Sequence, residues 1–310
     1  MEYRRLGDSG LKVSEIGLGC NNFGMRIDQD ATNAVIDAAI EHGVTFLDTA
    51  DVYGGQGKSE EMMGNALKGK RHQVVLATKF ASPMGPGKRG GSRRYIIEAV
   101  EASLKRLQTD YIDLYQMHQP DKDTPIEETL GALDDLVTQG KVRYIGNSNF
   151  TGWQIADADW TARSEHLNHF VSAQNNYSLL ERKVEFEVTP ACERFGLGVL
   201  PFFPLASGLL TGKYRRGEAP GADTRLAAWG ARGQAALSDK NFDKLEALSG
   251  YAEARGHDLL ELAFAWLLGH GVVSSVIAGA TKPEQVKANA AAGSWKMTPE
   301  EVAEVSELAK

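Results

Sequence analysis

Short apolar runs alternate along this chain with longer amphipathic segments, and the alternation repeats eight times. The runs Ile16–Leu18, Thr45–Asp48, Val74–Lys79, Asp113–Met117, Arg143–Ile145, Phe170–Gln174, Gly198–Phe202 and Ser275–Ala278 have the length and composition of buried strands. Helical spacing lies between them, for example over Thr32–Glu41, Arg93–Arg106, Ile126–Thr138 and Gly152–Ser164. In the second of these, Ile96, Ile97, Val100, Ser103, Leu104 and Leu107 form one stripe, with charges elsewhere. Asp30 and Thr32 offer capping side chains before the first helix, and Gly43 closes it.

Strict alternation of strand and helix implies a parallel sheet with right-handed crossovers. Eight such units fit a closed (β/α)8 TIM barrel better than an open sheet, and they predict one α/β domain over residues 1–310. The opening RRLGDSGLKVS reads as a β-hairpin turning at Gly7-Asp8-Ser9-Gly10, placed over the barrel floor. Residues Gly208–Gln234 form the longest irregular piece, and a loop that long in a compact domain is usually functional or disordered. From Pro299 a short amphipathic helix is expected outside the barrel.

Composition narrows the classes. A length of 310 residues supports a sizeable core, with 42% hydrophobic and 24% charged residues. The net charge of −7 opposes nonspecific nucleic-acid binding, though it leaves room for a local basic phosphate pocket. Cys20 and Cys192 cannot build a disulfide scaffold, so a reducing cytoplasm fits. No signal-peptide core and no membrane-spanning apolar run is expected. Oligomeric state is not legible.

In a barrel, chemistry belongs at the C-terminal strand ends. The second strand there ends in Asp48, with Tyr53 in the loop GVTFLDTADVYGGQGKSE. The third ends in Lys79 and the fourth in His118. The fifth leads into Gly146-Asn147-Ser148-Asn149, the sixth ends in Gln174, the seventh at Phe202 and the eighth at Gly279. A carboxylate, a phenol, an ammonium and an imidazole would then meet at one mouth and handle a proton. Each has a plainer reading. Gly54 and Gly55 could make a simple bend with Asp48 capping the next helix. Lys79 could be a solvated strand end, and His118 a packed turn residue. His166 and His169 have a metal-compatible spacing but no third ligand, and read as surface residues. Gly17–Asn22, GLGCNN, lacks the third glycine of a dinucleotide fingerprint.

With these residues assembled, the whole chain resembles the aldo-keto reductase family, in its branch of bacterial reductases and potassium-channel β subunits. The segments GVTFLDTADVYGGQGKSE, LYQMHQPD, GNSNF, QNNYSLLER, FFPLASGLLTGKY and VIAGATKPEQVKANA resemble successive family motifs in order. The resemblance implies a barrel that binds NADPH/NADP+ in extended form without a Rossmann domain and reduces a small-molecule carbonyl substrate without a metal. It implies that Tyr53 gives a proton to the carbonyl oxygen, that Lys79 lowers the Tyr53 pKa, that Asp48 holds Lys79, and that His118 orients the carbonyl. It further implies that Ser148, Asn149 and Gln174 hold the nicotinamide carboxamide and that Phe202 stacks on its ring. Pro204, Leu205, Gly208 and Lys213 would line the pyrophosphate, with Arg225 in a covering loop. Gly279, Thr281, Lys282, Gln285 and Asn289 would surround the adenosine and its 2′-phosphate, with Gly19 and Asn21 near the first strand.

The chain departs from the family pattern at Ala288, where many relatives have Glu, and at Cys20-Asn21, where channel subunits have Thr-Trp. The latter argues against transferring their membrane partnership. Two other classes compete with a reductase. One is an NADPH-binding regulatory subunit resembling channel β subunits. The other is a barrel hydrolase or isomerase, which would need paired carboxylates or metal ligands at the strand ends.

Overall fold

The computed structural model describes residues 1–221 and 224–310, with the side chains of all of these except Arg225 and Arg232. Ten strands are described: β1 Tyr3–Arg5, β2 Lys12–Ser14, β3 Ile16–Gly19, β4 Phe46–Asp48, β5 Val75–Phe80, β6 Ile112–Met117, β7 Val142–Ser148, β8 Ser172–Gln174, β9 Gly198–Val199 and β10 Val276–Gly279. The helices are α1 Gln29–Glu41, α2 Tyr53–Gln56, α3 Lys58–Ala66, α4 Arg93–Leu107, α5 Ile126–Thr138, α6 Gly152–Ser164, α7 Val184–Phe195, α8 Arg225–Ala228, α9 Ala231–Ala236, α10 Asp239–Glu253, α11 Leu259–Leu268, α12 Pro283–Ala292 and α13 Pro299–Leu308.

Strands β3 to β10 form one parallel sheet in the order β10-β3-β4-β5-β6-β7-β8-β9. Its two ends meet. Val199 bridges Val273 in parallel, Ser274 N donates to Val199 O at 3.0 Å, and Ile277 N donates to Pro201 O at 3.0 Å. The sheet therefore closes on itself as a (β/α)8 barrel, with no free edge to template aggregation. The β1–β2 hairpin pairs antiparallel, and its Leu6 and Val13 pack against Phe46, Ala77, Leu114, Val171, Leu200 and Ile277 from the barrel lining. The hairpin is thus the floor. Gly7 has φ +57, and a Cβ there would sit 2.3 Å from Gly196 O, so only glycine lets the hairpin seat.

Local chemistry sets the helix bounds. α1 begins at Gln29, earlier than its periodicity predicts, because the Asp28 carboxylate accepts from Ala31 N at 3.0 Å. Asp28 is the cap, worth about 1 kcal/mol. Asp30 and Thr32 are not: Asp30 lies in the first turn and Thr32 is buried inside the helix. In α4, Ser92 caps, and the Ile96, Val100, Ser103, Leu104 and Leu107 stripe is buried as the spacing requires, whereas Ile97 is exposed. The stripe is one residue narrower than the sequence suggested. Residues Gly208–Gln234 are less irregular than expected. A 3-10 segment Ala206–Thr211 opens them, and α8 and α9 close them. α13 packs against α10, outside the barrel.

Candidate active site

The sheet alternation decides which side chains face the barrel mouth. On β5, Ala77 and Lys79 point inward, while Leu76 and Phe80 pack against the helices and Thr78 Oγ1 donates to Glu60 of α3 at 2.6 Å. The register sets Asp48 beside Ala77 and Lys79 beside Gln116. Lys79 Nζ, fully shielded, donates to Asp48 Oδ2 at 2.6 Å and to Thr49 O at 2.8 Å. The other Asp48 oxygen accepts from Gln116 Nε2 at 3.0 Å and Gln174 Nε2 at 2.9 Å. Asp48 therefore spends its carboxylate inside the barrel, and neither α2 nor α3 has a side-chain cap. The simple-bend reading fails on that point. Burial works against the Lys79 charge, but the attraction of Asp48 and Tyr53 outweighs it, and the ammonium is held above its ordinary pKa.

Tyr53 and His118 meet above this pair. Lys79 Nζ lies 5.1 Å from the Tyr53 ring centroid. Tyr53 Oη lies 3.4 Å from His118 Nε2, with the rings edge-to-face at 5.5 Å and 83°. Burial and the Lys79 charge push His118 down to about 3, so its imidazole is neutral at ordinary pH. For Tyr53, burial raises the phenol pKa and Lys79 opposes the rise; the net direction is upward from 10. Lys79 lowers this pKa, as the sequence leads one to expect, but burial, which the sequence does not show, is the larger effect.

The remaining candidates fall at the same end of the barrel. β7 runs through Asn147 and Ser148, residues the sequence placed in a loop, and Asn149 follows it with φ +61. Ser148 Oγ donates to Gln174 O at 2.8 Å, and Asn149 Nδ2 donates to His118 O at 2.9 Å and Ser148 Oγ at 3.1 Å. β9 is only two residues long, so Phe202 lies beyond it, bridging Asn176 and meeting Phe203 edge-to-face at 5.3 Å. Buried Pro204 and partly buried Leu205 follow. Gly208 has φ +99, and a Cβ there would lie 3.0 Å from Lys213 Nζ. Gly279 pairs with Gly19, and a Cβ on it would meet Asn22 Nδ2 at 3.2 Å and Asn21 Oδ1 at 3.6 Å. Thr281 N and Oγ1 both donate to Gln285 Oε1, at 2.7 and 3.1 Å. Lys282 is the exposed N-cap of α12, and Asn289 is buried on that helix. The Arg225 side chain lies outside the described residues. His166 and His169 are exposed, and among the described residues no cluster could hold a metal ion.

Backbone strain marks this same rim. Among the described residues, non-glycine residues with positive φ are Gln56, Ala81, Gln108, Asn149, His166, Phe203, Ala206 and Ser207. All but the helix-end pair Gln108 and His166 lie in the segments that follow the barrel strands at the mouth. Strain of this kind persists where the surroundings enforce it, and it concentrates at functional sites. Sequence reasoning missed three polar partners. Gln116 was within reach of it, since it shares the inward face of β6 with Leu114 at a spacing of two. Thr49 contributes only a carbonyl, and Ser82, whose Oγ lies 3.1 Å from His118 Nδ1, follows a left-handed turn that no pattern announces.

The chain is similar to known proteins over nearly its whole length. The model of the Aldo/keto reductase family matches residues 15–310. A probable voltage-gated potassium channel subunit beta from Oryza sativa subsp. japonica is 40% identical over 93% of this chain and 90% of its own length. The uncharacterized oxidoreductase YrpG of Bacillus subtilis is 40% identical over 93% of this chain and 89% of its own. Versiconal hemiacetal acetate reductase of Aspergillus parasiticus is 36% identical over 97% of this chain and 95% of its own. With a closed barrel, a polar cluster at its mouth and a family match over nearly its whole length, the chain belongs to the aldo/keto reductase family of oxidoreductases.

Proposed function

We propose that this protein is an NADPH-dependent reductase that converts aldehydes and ketones to alcohols, working in the cytoplasm. The observation that carries the reading is the Tyr53 hydroxyl beside a neutral His118, over the buried Asp48–Lys79 pair.

The residues at the rim fit a dinucleotide. The Phe203–Gly208 turn holds four residues in the left-handed region, and a Cβ at Gly208 would crowd the Lys213 ammonium, so a cradle with a cation beside it is ready for a phosphate. Asn22 Oδ1 is buried without a partner next to Gly279, where an added donor would satisfy it. Phe202 offers a ring face to nicotinamide, with Ser148, Asn149 and Gln174 around the carboxamide. Lys213 would serve the pyrophosphate, and Thr281, Lys282, Gln285 and Asn289 the adenosine end. NADPH, when bound, supplies the hydride that adds to the carbonyl carbon.

The chain's own part is the proton. Tyr53 donates its hydroxyl proton to the carbonyl oxygen as negative charge develops there, which makes the alcohol and leaves a tyrosinate. Lys79 stabilises that tyrosinate electrostatically, and Asp48 fixes the ammonium in place. His118 donates a second hydrogen bond to the same oxygen and sets its direction. Lys79 is shut away from water, so its charge acts undiluted.

The test is NADPH absorbance with a panel of aldehydes and ketones. Turnover is expected in the parent, and Tyr53→Phe loses about 10²–10⁴-fold of it while keeping NADPH affinity. Near-parental turnover in that variant removes Tyr53 as the donor. The channel-subunit relatives favour a second reading, a barrel that holds NADPH to regulate a partner. Tight NADPH binding with no turnover of any generic aldehyde would favour it.

A further inference from the structure

Resting on the reductase reading above, the geometry points to Ser82 as a positioning residue that holds His118 in the tautomer with its proton on Nε2. A neutral imidazole carries one N–H, and here each ring nitrogen faces a hydroxyl. Ser82 Oγ lies 3.1 Å from Nδ1, and Tyr53 Oη lies 3.4 Å from Nε2.

Two arrangements are compatible with that pair of contacts. In the first, Tyr53 donates to Nε2 and Nδ1–H donates to Ser82; the Tyr53 proton is then spent on the imidazole. In the second, Ser82 donates to Nδ1, Nε2–H faces the mouth, and the Tyr53 proton stays available for a carbonyl oxygen. The reductase reading calls for the second, in which Nε2–H is left to donate to the carbonyl oxygen. The Tyr53 contact is long for a formed O–H···N bond, and the Ser82 contact is shorter. The backbone is shaped to make it. Ala81, buried after the end of β5, takes φ +83, and its carbonyl accepts from Gly90 N at 3.0 Å. That turn brings the Ser82 hydroxyl to the Nδ1 side of the imidazole. The His118 backbone is fixed as well, through His118 N to Phe80 O at 2.9 Å and Asn149 Nδ2 to His118 O at 2.9 Å. What the backbone leaves undecided is which nitrogen carries the proton, and a Ser82 hydroxyl that donates to Nδ1 places it on Nε2. Among the described residues this contact is its one side-chain hydrogen bond.

The experiment compares the parent, Ser82→Ala and Ser82→Thr by ¹H–¹⁵N correlation of the histidine rings, with His118→Gln to assign the signals. The parent is expected to show His118 protonated on Nε2, Ser82→Ala a mixture of tautomers, and Ser82→Thr the parental state. In parallel, kcat/KM for a carbonyl falls about tenfold in Ser82→Ala and returns in Ser82→Thr, the change of one neutral hydrogen bond, while NADPH affinity stays put. A parental imidazole protonated on Nδ1, or a Ser82→Ala ring unchanged from the parent, overturns the assignment. Absence of turnover in the parent would remove the reductase reading instead, and the ring spectra would still decide the role of Ser82.

Discussion

Lys79 Nζ and Asp48 Oδ2 lie 2.6 Å apart on adjacent strands, with both side chains shielded from solvent. Taking either partner away alone leaves a charge in a barrel that cannot hydrate it. Such a break typically costs about 3–5 kcal/mol, whereas removing both can be nearly neutral. Lys79→Met is therefore expected to lower stability by about that amount and to abolish most turnover. The double variant Asp48→Asn/Lys79→Met recovers most of the stability, since the new amide oxygen can still accept from Gln116 and Gln174, but recovers no activity. Denaturant unfolding of the parent and both variants, read beside their turnover, checks this. If the double variant is no more stable than Lys79→Met, the loss is not one of charge pairing.

Much of this was written in the spacing. Asp48, Lys79 and His118 each end an apolar run, and an apolar run of strand length in an alternating chain has one place to deliver its last residue. What the sequence concealed was electrostatic balance and turn geometry. Nothing in the order of residues says that burial outweighs Lys79 at Tyr53. Ser82 follows a buried alanine in a conformation that alanine seldom adopts, so propensity argues against the very turn that places it. Strand ends also shifted where hydrogen bonding rather than hydrophobicity sets them, as at Ser148 on one side and Phe202 on the other. The sequence stripe counts Ile97 with Ile96, although one residue of helix turns a side chain by about 100°, and Ile97 lies exposed.

Asp51 is a second buried acid that the strand-end pattern did not single out. It is 1% exposed, and neither of its oxygens has a well-formed hydrogen bond. Burial and the neighbouring Glu60 of α3 push its pKa up to about 7, with Arg106 of α4 opposing; Tyr95 and Tyr115 also face it. An acid whose pKa is higher folded than unfolded favours the folded state fully below the unfolded value. That advantage is lost as pH rises toward the folded value. The ordinary value is 3.8, so the loss runs from about pH 4 to about pH 7, with a ceiling near 4 kcal/mol at about 1.4 kcal/mol per unit. Asp51→Asn cannot ionise, and should be more stable than the parent by a margin that grows through this window and then levels off. Urea unfolding at a series of pH values measures the margin. A margin that does not change with pH would mean that Asp51 does not titrate there.

Lys282 is the residue on which cofactor choice is expected to turn. It occupies the N-cap position of α12, a ten-residue helix whose N-terminal amides carry partial positive charge, and it is exposed. Thr281 is tied to Gln285 by two bonds to Oε1, which fixes the start of the helix and the direction in which the 281–282 backbone faces. NADPH differs from NADH by a 2′-phosphate, and a charge-assisted contact to it is worth about 1.5–3 kcal/mol, or one to two decades in affinity. Lys282→Ala is expected to cut the preference for NADPH over NADH by about 10- to 100-fold, with NADH affinity nearly constant. Because the lysine is solvated, the lower figure is the expected one at physiological salt, and the effect should shrink as salt rises. Dissociation constants for both cofactors, in parent and variant at two ionic strengths, give the ratio directly. An unchanged ratio would take Lys282 out of the site and leave Gln285 or Arg225 to recognise the phosphate.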